Sequence, residues 1–358
     1  MKSNAELHHA VWRRLCRLIT HVRHPFLASR PALLLRYETP TQKAAYTGVY
    51  LTPKIDLTRS RRVLVIIPFR DKWPLTQQAI MSLMRQQLEG VTLLVALVDN
   101  GSLEADTRSG IADLLQRKIP HIRFRHLRYE IPFNFSRLNN LAAQACSDFA
   151  PDHLLFLNND VEFTEPNAIT TLCAFIEGNP RCGSVGCTLL YPDRRIQHLF
   201  IFVGCMIVGA HPFKGSRHDP TDPWFASPRP VAAATAALLL VRTSDYAAVH
   251  GFDEGLPSVQ DVDLALKLQQ RGLVNWVLPR VVAIHHETRS RSHSSDWNEV
   301  AEIYARWGGH LEHNPYIPNR FSRWSEPIAL CLGEGAFPWW QLANRIPLGK
   351  RKLFKVPS

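Results

Sequence analysis

Residues 63–71 read VLVIIPFRD. Five consecutive aliphatic residues without polar alternation describe a strand buried on both faces, as inside a parallel sheet. Pro68 has no N–H to give a ladder and is expected to stop that strand. The pattern then alternates. A helix is expected over 74–88, and a second apolar strand, 92–98, ends in Asp99-Asn100-Gly101-Ser102. A helix over 104–118 and a strand over 122–127 follow. Leu138, Leu141, Ala142 and Ala145 then fall at i, i+3, i+4 and i+7, the spacing of an amphipathic helix. A fourth strand, 154–157, ends in Asn158-Asn159-Asp160. Repeated strand–helix units predict an α/β fold, a mostly parallel Rossmann-like sheet flanked by helices.

In such sheets ligands bind at the carboxyl ends of the strands, where both polar clusters fall. No G-x-G-x-x-G follows the first strand and no G-x-x-x-x-G-K-[ST] occurs, which disfavours dinucleotide oxidoreductases and P-loop NTPases. Asn158-Asn159-Asp160 reads as a hard-oxygen site for Mg²⁺ or Mn²⁺, or as a simple Asx turn. Gln260-Asp261-Val262-Asp263 opens a helical pattern, so its carboxylates suit a general base or merely complement the helix dipole. His285-His286-Glu287 ends an apolar run, as metal ligands or as ordinary strand-end residues. Arg289, Arg291 and His293 just beyond could cover a diphosphate.

The 358 residues suffice for two or three domains, or for one large α/β domain with extensions. With 46% hydrophobic and 20% charged residues, wholesale disorder is excluded. A net charge of +11 favours anionic partners. Basic residues are spread along the chain without interleaved aromatics, so nucleic acid is not an expected partner. Seven cysteines, an odd number without a C-x-x-C pair, suggest buried thiols in a reducing compartment. Cys182, Cys187, His198, Cys205 and His211 fit no standard zinc spacing. The apolar stretches Leu199–Ala210 and Val231–Val241 fall short of the ~20 residues that span a bilayer, and read as buried strands. The N-terminus has no signal-peptide pattern, so a cytoplasmic protein is expected.

Three regions result: a basic extension over 1–60, the α/β domain over 61–310, and a basic, aromatic extension over 311–358. Val11, Leu15, Leu18, Ile19 and Val22 lie at helical spacing among arginines. Such a helix either packs on the domain or lies on an anionic membrane surface. Trp339, Trp340 and Lys350-Arg351-Lys352 favour peripheral membrane contact.

Eight segments occur in a characteristic order: VLVIIPFRD (63–71), LVDNGS (97–102), IPFNFSRLNNLAAQA (131–145), LLFLNNDVEF (154–163), GSVGCTLLYPDRRIQH (183–198), GFDEGL (251–256), QDVDLALKL (260–268) and HHETRSR (285–291). With these, residues 62–308 resemble glycosyltransferase family 2 proteins of the GT-A fold, in particular the bacterial rhamnosyltransferase-like members of surface-polysaccharide biosynthesis. The resemblance implies transfer of a sugar from a nucleotide-diphosphate donor to a glycan, lipid-linked acceptor at the inner face of the membrane, with Mn²⁺ or Mg²⁺.

It further implies that Pro68, Phe69 and Arg70 border the nucleotide, that Asp99 hydrogen-bonds the base, and that Asn140 and Asn158 lie near the nucleotide. Asp160 would bind the metal with His285 or His286, and Asp261 would be the catalytic base of an inverting displacement. Tyr191, Asp193, Gln197 and His198 would line the sugar side, Phe252 and Asp253 the acceptor side, and Arg289 and Arg291 the substrate phosphates. Asn158 replaces the first aspartate of the family's D-x-D, and Arg70-Asp71 departs from the usual first-strand turn. Gln260, being neutral, would not raise the Asp261 pKa by repulsion, so Asp261 is expected to stay ionised. The competing expectation is a catalytically inactive GT-A scaffold. A nucleotidyltransferase is disfavoured because Phe69-Arg70-Asp71-Lys72 lacks a glycine-rich loop.

Overall fold

The computed structural model describes residues 30–49, 60–205, 208–286, 297–318 and 321. The N-terminal helical pattern, Arg289, Arg291, Trp339, Trp340 and the basic run at 350–352 lie outside them. The run at 63–67 forms the centre of β1 (Arg61–Phe69), every residue of the run wholly buried. β1 pairs in parallel with β2 (Val91–Asp99) on one side and β4 (His153–Leu157) on the other. β3 (Ile122–Arg128) extends β2 in parallel.

Pro68 does not stop the strand, which runs on through Phe69. Phe69 turns its carbonyl towards β2, where Asn100 N–H meets it at 2.8 Å, so Pro68 turns towards β4. The β4 ladder has already ended at Ile66–Phe156, so the missing N–H costs no bond.

α1 (Pro40–Ala45) precedes the sheet, and α2 (Trp73–Met84) and α3 (Ala105–Leu115) follow β1 and β2. α4 (Phe135–Ala145) follows β3, and α5 (Ala168–Gly178) follows the short β5 (Val161–Phe163). The second half contains β6 (Cys182–Leu190), β7 (Ile196–His198), β8 (Phe202–Val203), β9 (Gly209–Ala210), β10 (Arg229–Val231), β11 (Leu238–Arg242) and β12 (Val274–His285). Between β11 and β12 come α6 (Thr243–Ala248) and α7 (Gln260–Gln270), and α8 (Trp297–Glu312) lies beyond β12.

The main sheet has the order β10-β12-β6-β11-β4-β1-β2-β3 among the described residues. β3, β2, β1, β4, β6 and β12 point one way, while β11 and β10 run against them. Alternate residues of β1 enter two cores. Val63, Val65 and Ile67 meet α2, α3 and α5 on one face; Leu64 and Ile66 meet α4 and α7 on the other. Each fully buried aliphatic contributes about 1.5–3 kcal/mol of transfer free energy.

The described residues of the two other apolar stretches are mostly buried but do not form single strands. Leu199–Ala210 holds the two short strands of the β8–β9 pair, and in Val231–Val241 a connection at 232–237 separates β10 from β11. Small residues over Ala232–Ala237 pack without a ladder and let the chain reverse into β11. The five described cysteines, at 146, 173, 182, 187 and 205, are free and buried. Burial pushes the Cys173 and Cys182 thiols up to about 12, which makes them inert packing groups.

Tyr46 after α1 packs its ring against Trp276 and meets Arg229 at 2.7 Å. Residues 30–49 thereby cover the β10 edge of the sheet. No helix among the described residues is long and apolar enough to cross a membrane.

Candidate active site

The turn after β1 is strained. Asp71 and Lys72 both have left-handed backbones, at φ 54° and 52°. The next loop holds them there. Asp71 N–H donates to Ser102 Oγ at 2.8 Å, and Asp71 Oδ1 accepts from the N–H groups of Leu103 and Glu104 at 2.8 and 2.9 Å. Pro68 and Phe69 are buried, Phe69 against Trp73, and Arg70 is the exposed member of the three residues expected at the nucleotide.

Asp99 is wholly buried at the end of β2. Its Oδ1 accepts from Ser102 N–H at 2.7 Å and its Oδ2 from Arg128 at 2.7 Å. Burial alone would raise its pKa; the Ser102 donors and Arg128 outweigh this and hold the carboxyl below its usual value. A base would reach this carboxylate only by competing with Arg128.

β4 is followed by Asn158, whose N–H bonds the Ala237 carbonyl at 2.9 Å, and the chain turns through Asn159 and Asp160 into β5. β5 pairs with the end of β12, at Val161–His285. That register brings His285 Nε2 to 3.1 Å from Asp160 Oδ1. Asn158 Nδ2 faces the same Nε2 at 3.4 Å. Gln197, inward-facing on β7, places Oε1 2.7 Å from His285 Nδ1.

His286 is not part of this cluster. Its ring faces Glu162 at 3.4 Å and Gln78 at 3.3 Å, and only its backbone N–H bonds the Asp160 carbonyl. The two-residue period of β12 sends the neighbouring rings to opposite faces.

Asp160 and His285 could hold one divalent cation. A carboxylate oxygen and an imidazole nitrogen on one side suit Mn²⁺ or Mg²⁺, with substrate phosphates and water as the further ligands. No group of three or more His, Cys, Asp or Glu side chains gathers for a metal among the described residues.

Tyr191 and Asp193 lie in the turn between β6 and β7, where Arg194 N–H bonds the Tyr191 carbonyl and Asp193 Oδ1 accepts Arg195 N–H. His198, the last residue of β7, is buried. Its Nε2 accepts Thr235 N–H at 3.2 Å and its Nδ1 meets His211 Nδ1 at 2.8 Å. Burial, then His211, holds its pKa well below the ordinary value, so His198 is a neutral ring.

Asp261 stands in the first turn of α7. Its pKa is pushed up to about 6 by burial, against the opposing hydrogen bonds of the Val262 and Ala236 backbones and the Thr235 hydroxyl. No like charge raises it, in line with the neutral Gln260; the rise comes from desolvation, which the sequence did not show. The group is still mostly ionised at neutral pH. The segment 235–237 touches Asn158, His198 and Asp261, and so joins the two sides of the site.

Asn140 faces the loop at 251–255. Its Oδ1 accepts from the Tyr246 hydroxyl at 2.5 Å and Phe252 N–H at 3.2 Å, and its Nδ2 donates to the Phe252 carbonyl at 3.0 Å. The Phe252 ring is buried against Phe156, 4.6 Å between centroids, so Asp253–Gly255 is the part of that loop that reaches solvent.

Sequence reading missed the support for α7. Glu299 of α8 accepts the Ser258 and Val259 N–H groups at 2.5 and 3.0 Å, at the start of α7. Arg306 bridges Asp253 at 2.6 Å and Asp263 at 2.9 Å. The seven-residue spacing of Glu299 and Arg306, two turns along one helix face, is a signal that could have found them. Thr235, within a run of alanines, offered none.

The family model described as Glycosyl transferase family 2 matches residues 64–198. The chain is 31% identical over 234 residues to the O-antigen biosynthesis protein RfbC of Myxococcus xanthus, covering 64% of this chain but only 18% of that protein. It is 25% identical over 246 residues to the N-acetylglucosaminyl-diphospho-decaprenol L-rhamnosyltransferase of Mycobacterium tuberculosis, covering 64% of this chain and 76% of that one. Among solved structures it is similar to the mannosyltransferase PcManGT of Pyrobaculum calidifontis, in complex with GDP-Man and Mn²⁺. The TM-score is 0.52 at 15% identity, over 80% of this chain and 74% of that one, a likeness of fold. With the strand order, the family match and these relatives agreeing, the chain has the GT-A fold, matches glycosyl transferase family 2 over residues 64–198, and is similar to rhamnosyltransferases.

Proposed function

We propose that this chain is a glycosyltransferase of polysaccharide assembly, moving a sugar from a nucleoside-diphosphate donor to a hydroxyl of a growing glycan. The observation that carries this is the pairing of Asp160 with His285 at the carboxyl edge of the sheet, joined through residues 235–237 to the half-buried carboxylate of Asp261. A divalent cation held by Asp160 and His285 would stabilise the diphosphate leaving group as a Lewis acid. Asp261 takes the proton of the acceptor hydroxyl as its oxygen bonds to the anomeric carbon and the bond to the diphosphate breaks. A positioned base of this kind is worth roughly 10²–10⁴-fold. One displacement without a covalent enzyme intermediate inverts the anomeric configuration.

Arg70 and the loops after β1 and β2 form the nucleotide side, the β6–β7 turn with Tyr191 and Asp193 the sugar side, and Asp253–Gly255 the acceptor side. The rhamnosyltransferase relatives favour rhamnose from a dTDP donor, and the name of the mycobacterial relative favours a lipid-linked acceptor. Basic terminal segments would then hold the enzyme at an anionic membrane surface.

The test is a thermal-shift panel of UDP, GDP, dTDP and CMP, each with and without Mn²⁺. A ligand at 100 times its Kd stabilises a fold by about 2.7 kcal/mol. A shift with one nucleotide that needs Mn²⁺ and vanishes in Asp160→Ala supports the donor site and names the base. No shift with any of them favours the inactive scaffold. Recovery of a product with retained configuration would sink the inverting step.

A further inference from the structure

We infer that Gln197 is a positioning residue for the proposed metal site: it selects which nitrogen of His285 faces Asp160. This rests on the reading of Asp160 and His285 given above.

Gln197 is buried on β7, outside the β4 and β12 ends that carry the proposed ligands. Its two amide ends make different contacts. Nε2 lies 3.5 Å from the backbone carbonyl of His285, and Oε1 lies 2.7 Å from Nδ1 of the same ring. A carbonyl oxygen only accepts, so the amide end turned towards it is the nitrogen. The oxygen is then left for the ring. It too only accepts, so Nδ1 carries a hydrogen.

In a neutral imidazole with hydrogen on Nδ1, Nε2 is a lone pair. That lone pair faces Asp160 Oδ1 at 3.1 Å, with the Asn158 amide at 3.4 Å beside it. Two acceptors at this separation repel, and a shared cation turns the repulsion into joint ligation. Any ring with hydrogen on Nε2, the opposite tautomer or the imidazolium, would close the site, because Nε2–H would donate to Asp160 and leave no lone pair. Gln197 therefore biases the ring against pairing with its own carboxylate. A ligating histidine is commonly oriented through its second nitrogen in this way, and loss of such a partner typically costs about 10–100-fold in metal affinity. The sequence resemblance placed Gln197 on the sugar side; its contacts with His285 give it this positioning role as well.

The experiment uses the full chain and Mn²⁺ alone. Free Mn²⁺ is followed by electron paramagnetic resonance during titration of the native protein, Gln197→Leu and Gln197→Glu. Gln197→Leu is expected to weaken Mn²⁺ binding about tenfold or more, and Gln197→Glu, which keeps the acceptor, to restore it. Native-like affinity in Gln197→Leu would overturn the inference. A second measurement needs no variant beyond the one used for assignment. Nitrogen-15 spectra of histidine-labelled native protein without metal, with His285 assigned by its loss in His285→Ala, should show hydrogen on Nδ1. A ring carrying hydrogen on Nε2 alone overturns the proposal, whatever the variants do. Asp160→Asn and His285→Ala separate the two readings. If neither weakens Mn²⁺ binding, the metal site itself is wrong; if both do and Gln197→Leu does not, only the role of Gln197 is.

Discussion

Asp263 and Arg306 meet at 2.9 Å across the contact of α7 with α8, the carboxylate wholly buried and the guanidinium about one-third exposed. Lys267 at 2.7 Å and the Trp307 indole N–H at 2.8 Å complete the surroundings of that carboxylate. Of the two aspartates in QDVD, one is thus consumed by the framework. Asp263→Ala takes the acceptor from the buried Trp307 N–H and one partner from Arg306 and Lys267, and should lose about 1–3 kcal/mol of stability in urea unfolding. A loss below about 1 kcal/mol, the range of exposed pairs, would show the network to be idle.

Asp261 should behave in the opposite way. Asp261→Asn is expected to keep the fold and to lose roughly 10²–10⁴-fold in kcat with the nucleotide Kd unchanged. Retained turnover would remove Asp261 as the base.

The raised pKa of Asp261 gives two pH dependences of opposite sign. The folded protein holds this proton more tightly than the unfolded chain. Its contribution to stability is therefore fully present below about pH 3.8 and is lost as pH rises through about 6. With Asp261 as the proposed base, turnover needs the carboxylate, so kcat should rise through about pH 6 to a plateau. Urea unfolding should show Asp261→Asn gaining stability relative to the native protein between about pH 4 and about pH 7. An acid limb of kcat near 4 would contradict both.

Asn140 fastens α4 to the loop at 251–255, the proposed acceptor side. Asn140→Ala leaves the Tyr246 hydroxyl and the Phe252 N–H without this partner, at a cost of about 1–3 kcal/mol. The expected signature is a raised KM for the acceptor with unchanged nucleotide affinity, read by steady-state kinetics and thermal shift. Weakened nucleotide binding instead would return Asn140 to the donor side.

The two adjacent histidines should separate cleanly. His285→Ala is expected to lower Mn²⁺-dependent nucleotide binding at least about tenfold. His286→Ala, whose ring lies with Glu162 and Gln78, should leave it little changed. Calorimetric titration of the nucleotide with and without Mn²⁺ reads both, and equal losses would mean that His286 also ligates.

The parallel half of the sheet was legible because a strand buried on both faces leaves an unbroken aliphatic run, as at Val63–Ile67. Pro68 was misread because the cost of its missing N–H depends on which side the strand still has a neighbour. That is a property of the sheet, absent from the segment itself. Asp160, Asp261 and the histidine pair were legible as types at strand and helix ends. Which histidine turns towards Asp160 depended on the β5–β12 register, and the upward shift of Asp261 depended on burial. Local sequence carries neither. The separation of Asp263 from Asp261 needed α8, whose residues follow Asp261 by more than thirty positions.

β11 runs against its neighbours, and this changes what the chain can bring to the binding edge. An all-parallel sheet offers that edge only the residues where strands depart. Leu238 pairs with Leu157, so the reversed strand arrives where the others leave. Thr235, Ala236 and Ala237 thus stand at the edge as an incoming segment, tethered on one side by β10 and on the other by the core of the sheet. Backbone groups of a taut incoming segment can fix Asn158 and Asp261 at once, while the outgoing loops stay free to vary. Changes of substrate in relatives of this chain should therefore accumulate in the departing loops, and the arriving one should tolerate only small residues.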